Sequence, residues 1–338
     1  KILNLLSFFY WSCSMKIIIS VLGNGFSSTL LSTGSIGRAE TRHKSIIIIE
    51  IVASIKAALD SFLLIYKYIK YDDEINKNYF KATFTPKDKS IRLDDVDNYT
   101  LIINEIYVPD WFNDVFKKIT IENLKNIIKS LIVKNKKTIL LNEGAILIGN
   151  AIVDSVKFSI IFAMYDNSKI NKLDDNSIVL RMCDESSINY TYDNTKIEEM
   201  RDFSFVNEMY DYSKIILMQN SSKVNIMKNN SRISTLNASA NIGNMYESSE
   251  AELLKHMSRV NVMHDYSVIE EMWDWSIVEK MYDNSRINYM DEDSKVIEMH
   301  GNSMIELMCG NSIVEKLYEN SVVRKLEEAA RVLRKELE

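Results

Sequence analysis

From Ser168 to Ser321 a hydroxyl residue returns every nine positions through eighteen copies, with Ala240 as the one substitution and no insertion. Two residues after each stands an aliphatic side chain, as in Ile170, Val179, Ile188 and Ile287; five residues after the hydroxyl stands Met or Leu, as in Met182, Met209, Met281 and Met290, with Thr191 as the exception. So strict a period marks a repeat architecture. Nine is neither a heptad nor a helical repeat, whereas side chains two apart share one face of a strand. Serine and the aliphatic residue therefore face inward together. The methionine, three further on, breaks that parity, so a bend lies between them. The Asp-Asn pairs before many of the serines are turn chemistry. The pattern predicts a mainly β protein built as a parallel β-solenoid.

The number of repeats per coil is also legible. Nine extended residues span only about 30 Å, too short a perimeter to enclose paired Met and Ile side chains. If two repeats close one coil, alternate repeats become inequivalent, and they are. Three residues before the serine, one set reads Asp174, Tyr192, Tyr210, Lys228, Tyr246, His264, Tyr282, His300, Tyr318. The other set mixes Tyr165, Cys183, Arg201, Gln219, Asn237, Lys255, Trp273, Asp291 and Cys309. The expectation is a two-sided solenoid of about nine 18-residue coils over 150–323, about 43 Å long.

In its coil arithmetic this repeat resembles the β-roll of calcium-binding RTX proteins. That family's motif is G-G-x-G-x-D, and here the matching turns carry only Gly301 and Gly310; the calcium function is therefore not carried over. The repeated D-N-S-x-V-like sentence resembles nonapeptide arrays of bacteria and phages, which implies the solenoid fold and leaves residues 1–145 unassigned.

The formal charge of −6 is unevenly spread: residues 1–164 sum to +5, residues 165–323 to −12 and the tail to +1. A shift of that size marks a domain boundary. Residues 1–145 read as a small α+β head. "MKIIISVLG" is a buried strand entering a Gly23-Asn24-Gly25 turn; Ser28 stands where a dinucleotide-binding loop needs its third glycine. Ile48, Ile51, Val52, Ile55, Leu59, Phe62 and Tyr66 recur at helical spacing and predict an amphipathic helix near 44–70. Its interrupting charges would each cost roughly 2.5–3.5 kcal/mol inside a bilayer, so no membrane span is expected. A further helix starts at Pro109-Asp110. At the other end, Leu326, Ala329, Ala330, Leu333 and Leu337 predict a C-terminal capping helix over 324–338.

Three scattered cysteines form no disulfide framework and favour the cytoplasm. "KILNLLSFFYWSCS", with one cation, an apolar run and small residues, keeps a secreted or surface location as the alternative. His43 stands alone in the head, and no histidine accompanies the inward serines, so no enzyme, cofactor or metal site is expected. The candidate binding edge is the uniform column: Tyr192, Asp193, Asn194, Tyr210, Asp211, Tyr246, His264, Asp265, Tyr282, Asp283, Asn284 and Tyr318. The expected function is a non-enzymatic scaffold or binding protein, its partner a protein or glycan, with oligomerisation through the head left open. The acidic body disfavours direct nucleic-acid binding. It also suggests an alternative role as a nucleic-acid-mimic inhibitor, and a third reading makes it the targeting arm of an effector head.

Overall fold

A computed structural model describes residues 14–22, 25–31, 45–52, 79–88, 90–103 and 112–336. The expected leader, the Gly23-Asn24 step, His43, residues 53–70 of the expected amphipathic helix and Pro109-Asp110 lie outside them. The chain divides into two compact units, Lys1–Ile132 and Val133–Glu338.

In the first unit, strands β1 (Ser14–Leu22), β2 (Gly25–Leu31), β3 (Ser45–Val52), β4 (Tyr79–Pro86) and β5 (Tyr99–Ile103) form one sheet in the order β2-β1-β3-β4-β5. Only the β3–β4 pair is parallel. The helix expected from residue 44 is thus a strand over Ser45–Val52. Its run of Ile and Val is β-branched, which suits a pleated sheet better than a helix, and two neighbouring strands supply its ladder. Helix α1 (Asp114–Ser130) begins later than expected, because Asn113 is the cap: its side chain accepts from the backbone N–H of Val115 and Phe116. Thr120, Leu124 and Ile128 are its buried stripe. Phe84 and Tyr99 pack with ring centroids 5.2 Å apart, and the Tyr99 hydroxyl donates to the Leu93 carbonyl at 3.1 Å.

The second unit is a parallel β-solenoid with two faces. One 12-stranded sheet runs from β6 (Ile132–Val133) to β28 (Val322–Leu326), and the other from β7 (Lys137–Leu141) to β29 (Arg331–Lys335). Each strand pairs with the strand two places on, so that Ile215 lies beside Ile233 and Met272 beside Met290. The coil is therefore eighteen residues, two nonapeptides, one on each face. From Ser168 to Leu317 the serines, aliphatics and methionines of the repeat are buried, most with no exposure at all, and the two methionine columns meet the two aliphatic columns in one core. Thioethers suit this narrow interior because they fill irregular gaps without fixed shape.

Two expectations need correction. The array has about eleven coils rather than nine, about 53 Å at the usual strand spacing. Coils before residue 150 keep the strand pairing while losing the serine sentence, and the last coils use the segment expected to form a capping helix. That segment is β28 and β29. Its alanines and charged residues favour helix by only tenths of a kcal/mol each. Against this, the preceding strands, Met304–Met308 and Ile313–Leu317, offer open backbone edges. Val322 and Arg331 N–H donate to the Ser303 and Ser312 carbonyls at 3.1 Å, and Glu336 N–H to Leu317 at 2.9 Å. The nonapeptide register simply continues: Ser321-Val323-Leu326, then Ala330-Val332-Lys335.

Among the described residues no helix is long and apolar enough to cross a membrane.

Candidate functional site

Each half-coil ends in the same turn. The serine N–H donates to the carbonyl three residues earlier, as Ser285 does to Tyr282 at 3.2 Å, and the residue between, two before the serine, is left-handed. Asp283 has φ 59°, Asp265 56° and Asp211 57°, and the position is Asp, Asn, Glu or Gly nearly throughout. Asp, Asn and Gly tolerate that conformation best. Gly301 and Gly310 each take it too, and a Cβ on Gly310 would lie 2.6 Å from the Glu292 nitrogen.

The carboxylates at this position have a structural task that the sequence reading missed. A left-handed turn residue points its N–H along the solenoid, out of reach of the strand ladders. The acidic residue of the next coil accepts it: Glu247 N–H to Asp265 at 2.9 Å, Asp265 N–H to Asp283 at 3.1 Å, Asp193 N–H to Asp211 at 3.3 Å. The opposite edge does the same, with Asp166 N–H to Asp184 at 2.9 Å and Asp274 N–H to Glu292 at 3.0 Å. A recurring Asp/Glu two residues before each serine was the available signal. Charge-assisted bonds of this kind are stronger than neutral ones; they let like charges stack one coil apart.

The rings of the candidate edge also turn toward each other. Tyr192 stacks on Tyr210 with centroids 5.1 Å apart; Tyr246, His264, Tyr282, His300 and Tyr318 form a continuous five-ring stack at 4.4–5.2 Å, every interplanar angle 16° or less. Lys228 separates the two runs, its ammonium 5.1 Å from the Tyr210 ring centre and bonded to Glu208. Ring faces inside the stack are covered by their neighbours, so the stack itself offers hydroxyls and ring edges, while Tyr212 and Tyr266 stand exposed at turn tips of the same edge. Asn194 and Asn284 stand exposed at the tips of their turns.

Outside the edges lies a column that sequence reading did not single out: Asn171, Asn189, Asn207, Asn225 and Asn261, three residues after the serine position on one face. Asn189 donates its amide to Asn171 at 3.0 Å and Asn225 to Asn207 at 3.3 Å. Gly243 interrupts it because a Cβ there would lie 2.4 Å from the Asn225 carbonyl oxygen. Toward the C-terminus the faces carry charge ladders instead, such as Lys280–Glu298–Lys316 at 3.2 and 3.1 Å.

Among the described residues one acidic group converges enough to hold a cation: ligand atoms of Asp174, Asp175 and Asp193 lie within 4.8 Å of one another. Two lysines already occupy this corner. Lys172 reaches Asp174 at 2.6 Å, and Lys157 reaches Asp175 at 2.8 Å. Burial alone would push Asp174 up, but hydrogen bonds from Lys172 and Asp193 outweigh it and hold the carboxyl at about 2. The bond to Asp174 pushes Asp193 up correspondingly. The two described cysteines, Cys183 and Cys309, are poor nucleophiles. Burial drives the Cys183 thiol up to about 11 and raises Cys309 as well.

Fold and edges together define a two-sided parallel β-solenoid whose 18-residue coils present a column of acidic turns along each edge. Comparison with protein-family models, curated proteins and solved structures gave no match.

Proposed function

We propose that this chain is a non-catalytic binding scaffold whose acidic edges engage a basic protein partner. The observation that carries this reading is the double column of carboxylates. From Asp166 through Asp175, Asp184, Asp193 and Asp202 to Asp211, every half-coil contributes one at the same turn position. Asp193 is exposed and the other five are half-buried at the turn surface, and their spacing is fixed by the strand ladder. A rigid charge array loses little conformational entropy on binding.

The test is titration of the full chain with a lysine- and arginine-containing decapeptide at 50 and 300 mM salt. We expect salt-sensitive binding, weakened when Asp211, Asp265 and Asp283 are changed together to Asn, which tolerates the same backbone. Equal affinity of that variant and of its opposite-edge counterpart would remove the edges from the function.

The same array supports a second reading. Where both edges are acidic, charge recurs about every 2.4 Å of solenoid axis, against about 1.7 Å for duplex DNA. A nucleic-acid-mimic inhibitor would then block a topoisomerase or nuclease at micromolar concentration. No inhibition at that level retires it.

A further inference from the structure

The edge opposite the Tyr/His stack carries a different surface between residues 255 and 293. There Met257 and Trp275 occupy the same turn position in consecutive coils and are 63% and 61% exposed. At the other turns of this edge that position is polar, apart from Phe203 three coils away and the small Ala329 in the last turn. Backbone bonds fix the pair's spacing: Trp273 N–H donates to Leu254 at 3.0 Å and Ile277 N–H to Ser258 at 3.0 Å. Trp273 packs against Tyr289, centroids 5.4 Å apart and tilted by 53°, and its indole N–H donates to Glu271 at 2.9 Å. Trp275, by contrast, makes no hydrogen bond and no ring contact with any described residue, and its side chain is largely exposed.

The rim around this apolar pair is acidic. Glu271, Asp274, Asp291, Glu292 and Asp293 stand on the Trp275 side, of which Glu271, Glu292 and Asp293 are exposed. Asp274 is engaged by His256 Nδ1 at 3.6 Å and accepts the His256 N–H at 2.9 Å; Asp291 accepts the Tyr289 hydroxyl. Lys255 is the cation of this turn group. Asp293, one coil beyond Trp275, has no such engagement. An exposed indole beside the unengaged Asp293 and the exposed Glu292, which already accepts the Asp274 N–H, suits a planar cation, which stacks on the ring while its N–H groups bond the acids. Large aromatic residues and Met, ringed by polar groups, are also the composition of protein-interface hot spots.

We infer that the Met257–Trp275 patch with its acidic rim is the anchor point for an arginine-bearing segment of the partner protein. The inference rests on the reading of the edges as a basic-partner surface, and it specifies the place and the side chain. The guanidinium lies over Trp275 against Asp293 and Glu292, with the apolar part of the segment on Met257.

The experiment uses the full chain, with hexa-arginine and hexa-lysine peptides of equal charge, followed by calorimetry and tryptophan fluorescence at 50 mM salt. Hexa-arginine should bind at least threefold more tightly than hexa-lysine. Trp275→Ala should weaken hexa-arginine about tenfold and abolish the preference, while Trp275→Phe retains part of it. Asp293→Asn should weaken both peptides. Each variant is checked by thermal melt, and the exposed turn position should leave the melt unchanged. Unchanged hexa-arginine affinity in Trp275→Ala overturns the inference and leaves the edge reading standing. So does loss of binding only in the Asp211/Asp265/Asp283 variant. Failure of the wild-type chain to bind either peptide overturns both. Binding of a neutral glucan oligomer that is lost in Trp275→Ala, with no arginine preference, would replace the partner class.

Discussion

The residue that departs furthest from the turn grammar is Ala238. It holds φ 56° where the other turns place Asp, Asn, Glu, His or Gly. A left-handed alanine costs about 1–2 kcal/mol. It also offers no acceptor to the N–H of Asn220, one coil below. An aspartate here would supply that acceptor, with a side chain better suited to this backbone. Ala238→Asp should therefore stabilise the chain by about 1 kcal/mol, read as a higher urea midpoint at unchanged slope. Ala238→Val should lower it. Charge enters at the same scale through Asp174. Its folded-state carboxyl titrates at about 2, below its ordinary 3.8, so the stability it contributes is complete above pH 4. That contribution is lost as pH falls from 4 through 2. Asp193 has the opposite sign, being raised by its bond to Asp174. Its contribution is present in acid and fades as pH rises.

Among the elements, the methionine columns and the C-terminal strands behave differently. Met281 is fully buried and sits between Met263 and Met299 in a column with no slack on either side. Met281→Ala should cost about 2–5 kcal/mol and Met281→Leu under about 1.5, measured by denaturant unfolding. The strands β28 and β29 sit on a thinner core: Val323, Ala330 and Val332 are only partly buried against it, Leu326 is about half exposed and Lys335 replaces the methionine. They hold their conformation because the coil before them dictates it. The reading of 324–338 as a helix counted propensities and one apolar face, both of which are present. It omitted the template, whose backbone donors and acceptors outweigh propensities of tenths of a kcal/mol.

For the solenoid as a whole, stability is a sum of coil terms and nearest-neighbour interfaces. Central coils contribute two interfaces each, and the last contributes one. Hydrogen exchange should therefore be slowest for amides between about 215 and 300 and faster in Arg331–Lys335. A uniform protection profile out to residue 335 would contradict this account. The same additivity explains why Ala240 and Thr191 are tolerated: one weakened coil is flanked by intact neighbours.

The sequence by itself determined the coil. A serine, an aliphatic and a methionine at fixed offsets can be buried together only if a bend separates the second from the third. The uniform and mixed columns required two nonapeptides per turn. It also brought Tyr192 through Tyr318 to one edge, because residues eighteen apart must stack. Only the tertiary structure decided what those residues do there. Ring faces cover one another, carboxylates satisfy the N–H of left-handed turns, and Trp275 alone of the described tryptophans makes no hydrogen bond or ring contact. Such assignments depend on distances between coils and on which partner reaches a donor first, and a periodic string of letters carries neither. The extent of the array was hidden for the same reason. Its first coils keep the backbone pairing without the serine sentence, and its last keep Ser321-Val323-Leu326 and Ala330-Val332 among residues that favour a helix.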